Sequence, residues 1–143
     1  MRQGAALAAL LLASCGSQSS PPSISVHDAW ARATVAGQNS AAIYLSITNK
    51  GGEGRLMAVS SPIGSASLHR TSMSGGVMRM RKLDELPIPP NATVELKPGA
   101  THVMVSGLQA PLAAGSRVPL TLAFAKAGKL QTEVAVRAAG AAM

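Results

Sequence analysis

The sequence predicts an all-β single domain, a sandwich or barrel of about nine short strands. Three observations predict it. Apolar and polar residues alternate in short runs, and Gly, Pro and Asn turn signals separate those runs at roughly 8–12-residue spacing. No long segment shows the 3.6-residue period with caps that a core helix needs. The 47% apolar content is aliphatic, since Trp30, Tyr44 and Phe124 are the only aromatic residues. A chain of 143 residues is one domain's worth of sequence.

The strands are expected in this order. Residues 24–34 alternate and contain Trp30. Residues 41–48 (AAIYLSIT) read as a strand that stops at the turn Asn49-Lys50-Gly51-Gly52. Residues 56–60 form another, closed by Pro62. Residues 67–71 lead into the turn Ser74-Gly75-Gly76, and 77–81 return as the second arm of a hairpin. Residues 93–96 precede Pro98-Gly99, and 102–105 follow. The Ala-rich stretch 108–114 is read as a single turn. Residues 118–125 meet a turn at Ala127-Gly128, and 130–136 close the domain.

The first 22 residues read as an address. Arg2 gives a short positive start, and Ala5 to Ala13 is an unbroken apolar run. As a helix that run rises only about 13.5 Å, too little to cross about 30 Å of hydrocarbon, and it suits a signal-peptide core. It ends in Leu12-Ala13-Ser14-Cys15, which resembles the bacterial lipobox, where the Cys is acylated and becomes the new N-terminus. Residues 1–14 are thus the expected lipoprotein signal peptide. Residues 15–22 are the acylated Cys15 and a small, polar, Pro-ended tether. Residues 23–137 are the domain and 138–143 a short tail. The expected location is the bacterial periplasm, anchored to a membrane, with Gly16 after the Cys favouring the outer one.

Composition excludes several functions. Cys15 is the only cysteine, so no intramolecular disulfide, CxxC pair or multi-thiolate metal site can form. The net charge is +7, but the basic residues are scattered and stacking aromatics are missing, so no nucleic-acid partner is expected. No nucleophile–base–acid set is apparent, and the chain does not read as an enzyme.

The chemistry lies in Met and His. His69 is followed by ten residues and Met80; twenty-one residues then lead to His102, and one more separates it from Met104. His102 and Met104 are two apart on a strand and leave one face. Met78 and Met80 also share a face, across the Ser74-Gly75-Gly76 turn from His69. Two hairpin ends side by side would converge two imidazoles and two thioethers. Thioether sulfur is soft and neutral, and such donors select Cu(I). Zinc sites usually include thiolate, carboxylate or more imidazoles. Calcium and magnesium need clustered oxygen ligands. A blue-copper electron-transfer site needs a Cys thiolate within the fold.

The stretch from His69 to Met104 (HRTSMSGGVMRMRKLDELPIPPNATVELKPGATHVM) resembles the periplasmic copper chaperone family known as PCu(A)C, whose signature is His, ten residues, Met, twenty-one residues, His-x-Met. All four positions and both gaps match. Asp28-Ala29-Trp30-Ala31-Arg32, Ala42-Ile43-Tyr44-Leu45, Gly107-Leu108 and Pro119 to Phe124 extend the likeness, which covers residues 23–136. The resemblance implies a cupredoxin-like Greek-key β-sandwich or barrel that binds one Cu(I). It also implies His69, Met80, His102 and Met104 as the ligands and copper delivery towards the binuclear centre of cytochrome c oxidase. The partner would be a copper acceptor, an oxidase subunit or assembly factor. The tail 138–143 has no His, so no second Cu(II)-type site is expected there. The alternatives are a copper sequestration or resistance lipoprotein and a metal-free β-sandwich interaction module.

The remaining residues are read conservatively. Met73 and Met78 flank the site and are assigned to core or loop packing, with a guarding or transient copper-accepting role as the alternative. His27 is a surface or hydrogen-bonded His. Trp30 and Tyr44 are assigned to the core. Arg70, Arg79, Arg81 and Lys82 form a solvated hairpin face around the site, or else a rim that docks an acidic partner.

Overall fold

A computed structural model describes residues 20–138; the expected signal peptide, Cys15, most of the tether and residues 139–143 lie outside the described residues. The described chain is all-β, as expected, with ten strands and no helix. They are β1 (Ile24–Arg32), β2 (Ser40–Asn49), β3 (Gly54–Ser60), β4 (Ser65–Ser74), β5 (Val77–Leu83), β6 (Leu86–Ile88), β7 (Ala92–Leu96), β8 (Thr101–Ser106), β9 (Arg117–Phe124) and β10 (Gly128–Arg137).

They join one sheet in the order β5-β4-β8-β2-β1-β10-β9-β3-β6, with β7 also paired to β2. The β1–β10 pair is parallel and the other pairs are antiparallel. The sheet curls until β6 meets the end of β2, where the Asn49 amide donates to the Ile88 carbonyl at 3.1 Å. Its inner face is one aliphatic core. Alternation is cleanest in β2, where Ala41, Ile43, Leu45 and Ile47 point inward. Leu120, Leu122, Val103, Val105 and Val134 meet them from β9, β8 and β10.

Three expectations need correction. Strand β6 was not expected, because Pro87 interrupts it. It lies at the sheet edge beside β3, where a residue without an N–H is tolerated. The 108–114 stretch forms a turn only at its end, at Ala114-Gly115. Leu112 is buried instead, and its N–H donates to Thr34 Oγ1 at 2.8 Å. Trp30 and Tyr44 are half-buried on the outer face, not in the core. Tyr44 follows the alternation of β2. Trp30 is turned outward by a β-bulge: the register passes from His27↔Ser46 to Trp30↔Tyr44, so one extra residue sits on β1. Asp28 takes φ +56° there, and the side chains beyond it exchange faces, which buries Ala31.

Candidate metal centre

Register builds the site. Strand β4 lies between β5 and β8, and facing residues across an antiparallel pair leave the same side of the sheet. His69 faces His102, and Ser67 faces Met104. Thr71 faces Met80, and His69 faces Lys82 on the other edge. His69, Met80, His102 and Met104 therefore share the outer face of three adjacent strands. The means of convergence differs from the expected pair of hairpins. Of the strands that carry the four residues, only β4 and β5 form a hairpin, and its Gly75-Gly76 turn has φ of +60° and +77° at its two central residues, the left-handed geometry of a tight two-residue connection. Strand β8 is instead zipped between β4 and β2.

The two imidazoles stack with ring centroids 6.1 Å apart and planes 19° apart. His102 is 5% exposed, and its Nδ1 lies 3.1 Å from the Ala100 carbonyl. A carbonyl only accepts, so Nδ1 carries the proton and Nε2 keeps a free lone pair. His69 Nε2 lies 2.8 Å from Ser67 Oγ, while its buried Nδ1 has no hydrogen-bond partner. The economical tautomer puts the proton on Nε2, donated to Ser67, and leaves a buried lone pair on Nδ1. An orphaned buried nitrogen and an oriented second imidazole are what a bound cation would satisfy.

His69 is held below its ordinary pKa of 6.5, first by desolvation, then by the charges of His102 and Lys82. Among the described residues no three His, Cys, Asp or Glu side chains come together as a metal group. The donors beside the two imidazoles are thioethers: Met104, half-buried, and Met80, 54% exposed. Two imidazoles and two neutral sulfurs suit a soft monovalent cation.

The outer face continues past the four residues. Tyr44 stacks obliquely near His102 with centroids 6.4 Å apart, and Trp30 lies 4.8 Å from Tyr44. The Arg137 guanidinium covers Trp30 at 4.8 Å, a cation–π contact. Sequence reasoning missed Ser67, although alternation along β4 puts it on the face of His69 two residues away, and it missed the aromatic row, which needs the β1 bulge and the β2–β8 pairing. His27 is hydrogen-bonded as expected, to Asp28 and Thr48 at 3.0 Å each. Met73 and Met78 are not core residues, being 72% and 61% exposed. Of the expected basic rim, only Lys82 shares the site face. Arg70 faces Arg81, and Ser72 faces Arg79, all on the reverse side of the hairpin.

Over residues 24–136 the chain matches the family described as "Putative lipoprotein LpqE-like". It is 32% identical over 115 residues to "Putative lipoprotein Lxx21020" of Leifsonia xyli subsp. xyli, covering 80% of this chain and 69% of that protein. Among solved structures it resembles "Copper-bound PCuAC domain from PmoF2", with TM-score 0.69, 27% identity, and coverage of 81% of this chain and 93% of that one. It also resembles the solution structure of CuI-DR1885 from Deinococcus radiodurans, with TM-score 0.63, 28% identity, and coverage of 86% and 83%. The cupredoxin-like fold expected from the sequence is therefore observed, and the chain belongs to the LpqE-like, PCuAC-type family.

Proposed function

We propose that this protein is an exported copper chaperone that holds one Cu(I) with His69, Met80, His102 and Met104 and passes it to an acceptor by ligand exchange. The observation that carries it is the stacked His69–His102 pair, each ring keeping one nitrogen lone pair, with two thioethers on the same sheet face. Copper in the solved relatives supports the choice of metal. Neutral sulfur donors suit release, since they need no deprotonation to bind and none to let go. The acceptor is a copper-site protein, an oxidase subunit or its assembly factor. The protein is not an enzyme.

The test is an anaerobic Cu(I) competition titration of the full chain in mild detergent against a coloured chelator. One tight equivalent is expected; failure to withdraw copper would overturn the proposal and favour a metal-free interaction module. Deletion under copper limitation separates delivery from sequestration. Loss of oxidase activity indicates delivery, and copper sensitivity with normal oxidase indicates sequestration.

Cys15 is the proposed acylation site, supported by the lipoprotein descriptions of the family and its Leifsonia member. Cys15→Ser is expected to move the protein from the membrane to the soluble fraction. Equal membrane retention of the variant would contradict the anchor.

Site electrostatics give a pH prediction. In the metal-free protein His69 is expected to titrate with a midpoint below 6.5. The folded state binds that proton more weakly than the unfolded state. The associated stability is present above about 6.5 and lost as pH falls through the folded value. Lys82→Gln is expected to move the midpoint back up, because it removes one of the charges that lower it. Ring-proton NMR titration reads both; a wild-type midpoint at or above 6.5 refutes the assignment.

A further inference from the structure

None of the five methionines among the described residues belongs to the core. Met57, Met73, Met78 and Met80 are exposed, and Met104 is half-buried. An exposed thioether gains little from the hydrophobic effect, so burial does not explain these positions. Met57 stands on β3 beside the base of the hairpin, lining a pocket with Ser67 and Lys82, and not at its tip. The other three exposed ones form a pattern. Met73 faces Met78 across the β4–β5 hairpin, one step from its tip, where Ser74 faces Val77. Met80 follows two residues along β5, on the same side.

We propose that Met73 and Met78 form a second, weaker Cu(I) site at the hairpin tip, through which copper enters and leaves the His69–Met80–His102–Met104 set. The inference rests on the copper function proposed for that set. Facing residues on an antiparallel pair have Cβ atoms about 4.5–5.5 Å apart, close enough for two flexible Met side chains to share one soft ion. From the tip inward the donors run Met73 and Met78, then Met80, then the two imidazoles, and exposure falls along that path to the buried His102. Two thioethers alone hold Cu(I) less tightly than a set containing two imidazoles, so affinity rises inward. Each step is an exchange at constant oxidation state. The copper–sulfur bond to Met78 breaks as the bond to Met80 forms, and no proton or electron moves. The Gly75-Gly76 turn fixes the register, and a slip of one residue would turn Met78 and Met80 to the opposite side. Arg70, Arg79 and Arg81 already occupy that side, which keeps three positive charges off the path of a cation.

The test compares the full-length wild type with Met73→Leu/Met78→Leu, using Cu(I) alone as the probe under anaerobic conditions. Leucine preserves size and surface character, so the fold is retained, which circular dichroism checks. The variant is expected to bind its first equivalent with wild-type affinity. It should surrender copper to excess chelator about tenfold more slowly, as expected when a local capture site of high effective concentration is removed. In the wild type, a second equivalent of Cu(I) should shift the Met73 and Met78 methyl resonances. Met57→Leu, which removes an exposed thioether at the base of the hairpin and leaves its tip unchanged, should transfer at the wild-type rate. Equal transfer by the double variant, or equal slowing in Met57→Leu, overturns the tip site while the four-residue set stands. A wild type that binds no copper overturns both.

Discussion

Replacing His102 by glutamine or alanine is expected to weaken Cu(I) binding by at least about a hundredfold, since loss of even an outer-shell partner of a metal ligand typically costs about 10–100-fold. His102 is the most buried of the four residues, and its orientation is fixed from two sides. The Ala100 carbonyl accepts a hydrogen bond from its Nδ1–H, and the His69 and Tyr44 rings flank it. Its Nε2 lone pair is thus held in place before any metal arrives. Met80→Leu should cost less, because its exposed thioether sits on an edge strand and is less constrained. The order of effect, His102 before Met80, follows from preorganisation and not from donor strength. Glutamine is the cleaner substitution at 102, since alanine also opens a void beside Tyr44. Competition titration of the two variants beside the wild type decides it. Unchanged affinity in His102→Gln would remove that residue from the ligand set.

Much of this face is legible in the sequence for simple reasons. A strand alternates, so His102 and Met104 must share a side, and the Gly75-Gly76 turn must fold Met80 back along His69's strand. What spacing cannot supply is the register between strands far apart in the chain. That His69 stands directly opposite His102 depends on β8 docking between β4 and β2. No local pattern encodes that placement. Ser67 shares the face of His69 by the same local alternation, but a serine two residues from a histidine carries no signal until the ring's other nitrogen is seen to be orphaned. Trp30 shows a different limit. Read by strict alternation it belongs inside with Val26. The bulge at Asp28 reverses the faces and delivers it to Tyr44 and, through Tyr44, to the neighbourhood of His102. Assigning Met73 and Met78 to core packing fails because a thioether fills core space readily in general but is not needed here. Here Val, Leu and Ile fill the core without them.

Asn49→Ala is expected to be among the most destabilising single changes outside the aliphatic core, by about 3 kcal/mol, because buried polar partners left unsatisfied cost about 1–3 kcal/mol each and partly relax. Asn49 is fully buried, at 0% exposure. Its Oδ1 accepts from the N–H groups of Ser23 and Gly51 at 3.1 and 3.0 Å. Its Nδ2 donates towards the carbonyls of Gly52, Ile88 and Pro89 at 2.7, 3.1 and 3.3 Å. One amide thus joins the start of β1, the β2–β3 turn and the end of β6, where the curled sheet closes. In the sequence it looks like an ordinary turn residue after β2, because two of the three segments it joins, at Ser23 and at Ile88-Pro89, are distant in the chain. Asn49→Asp tests the chemistry independently of volume. It keeps the acceptor but presents a carboxylate to three carbonyl oxygens, so it should be at least as destabilising as alanine at neutral pH. Part of the loss should return in acid, as the carboxyl protonates and regains a donor. Urea unfolding with an unchanged slope reads the loss as native-state stability. An Asn49→Asp variant as stable as the wild type at neutral pH would show that the amide donors do not hold the closure. The consequence reaches the metal face through β2. This strand carries Asn49 at one end and pairs with β8, the strand of His102 and Met104, at the other. Folded Asn49→Ala protein should therefore keep its Cu(I) affinity while its folded fraction falls, which separates closure of the sheet from the chemistry on its outer side.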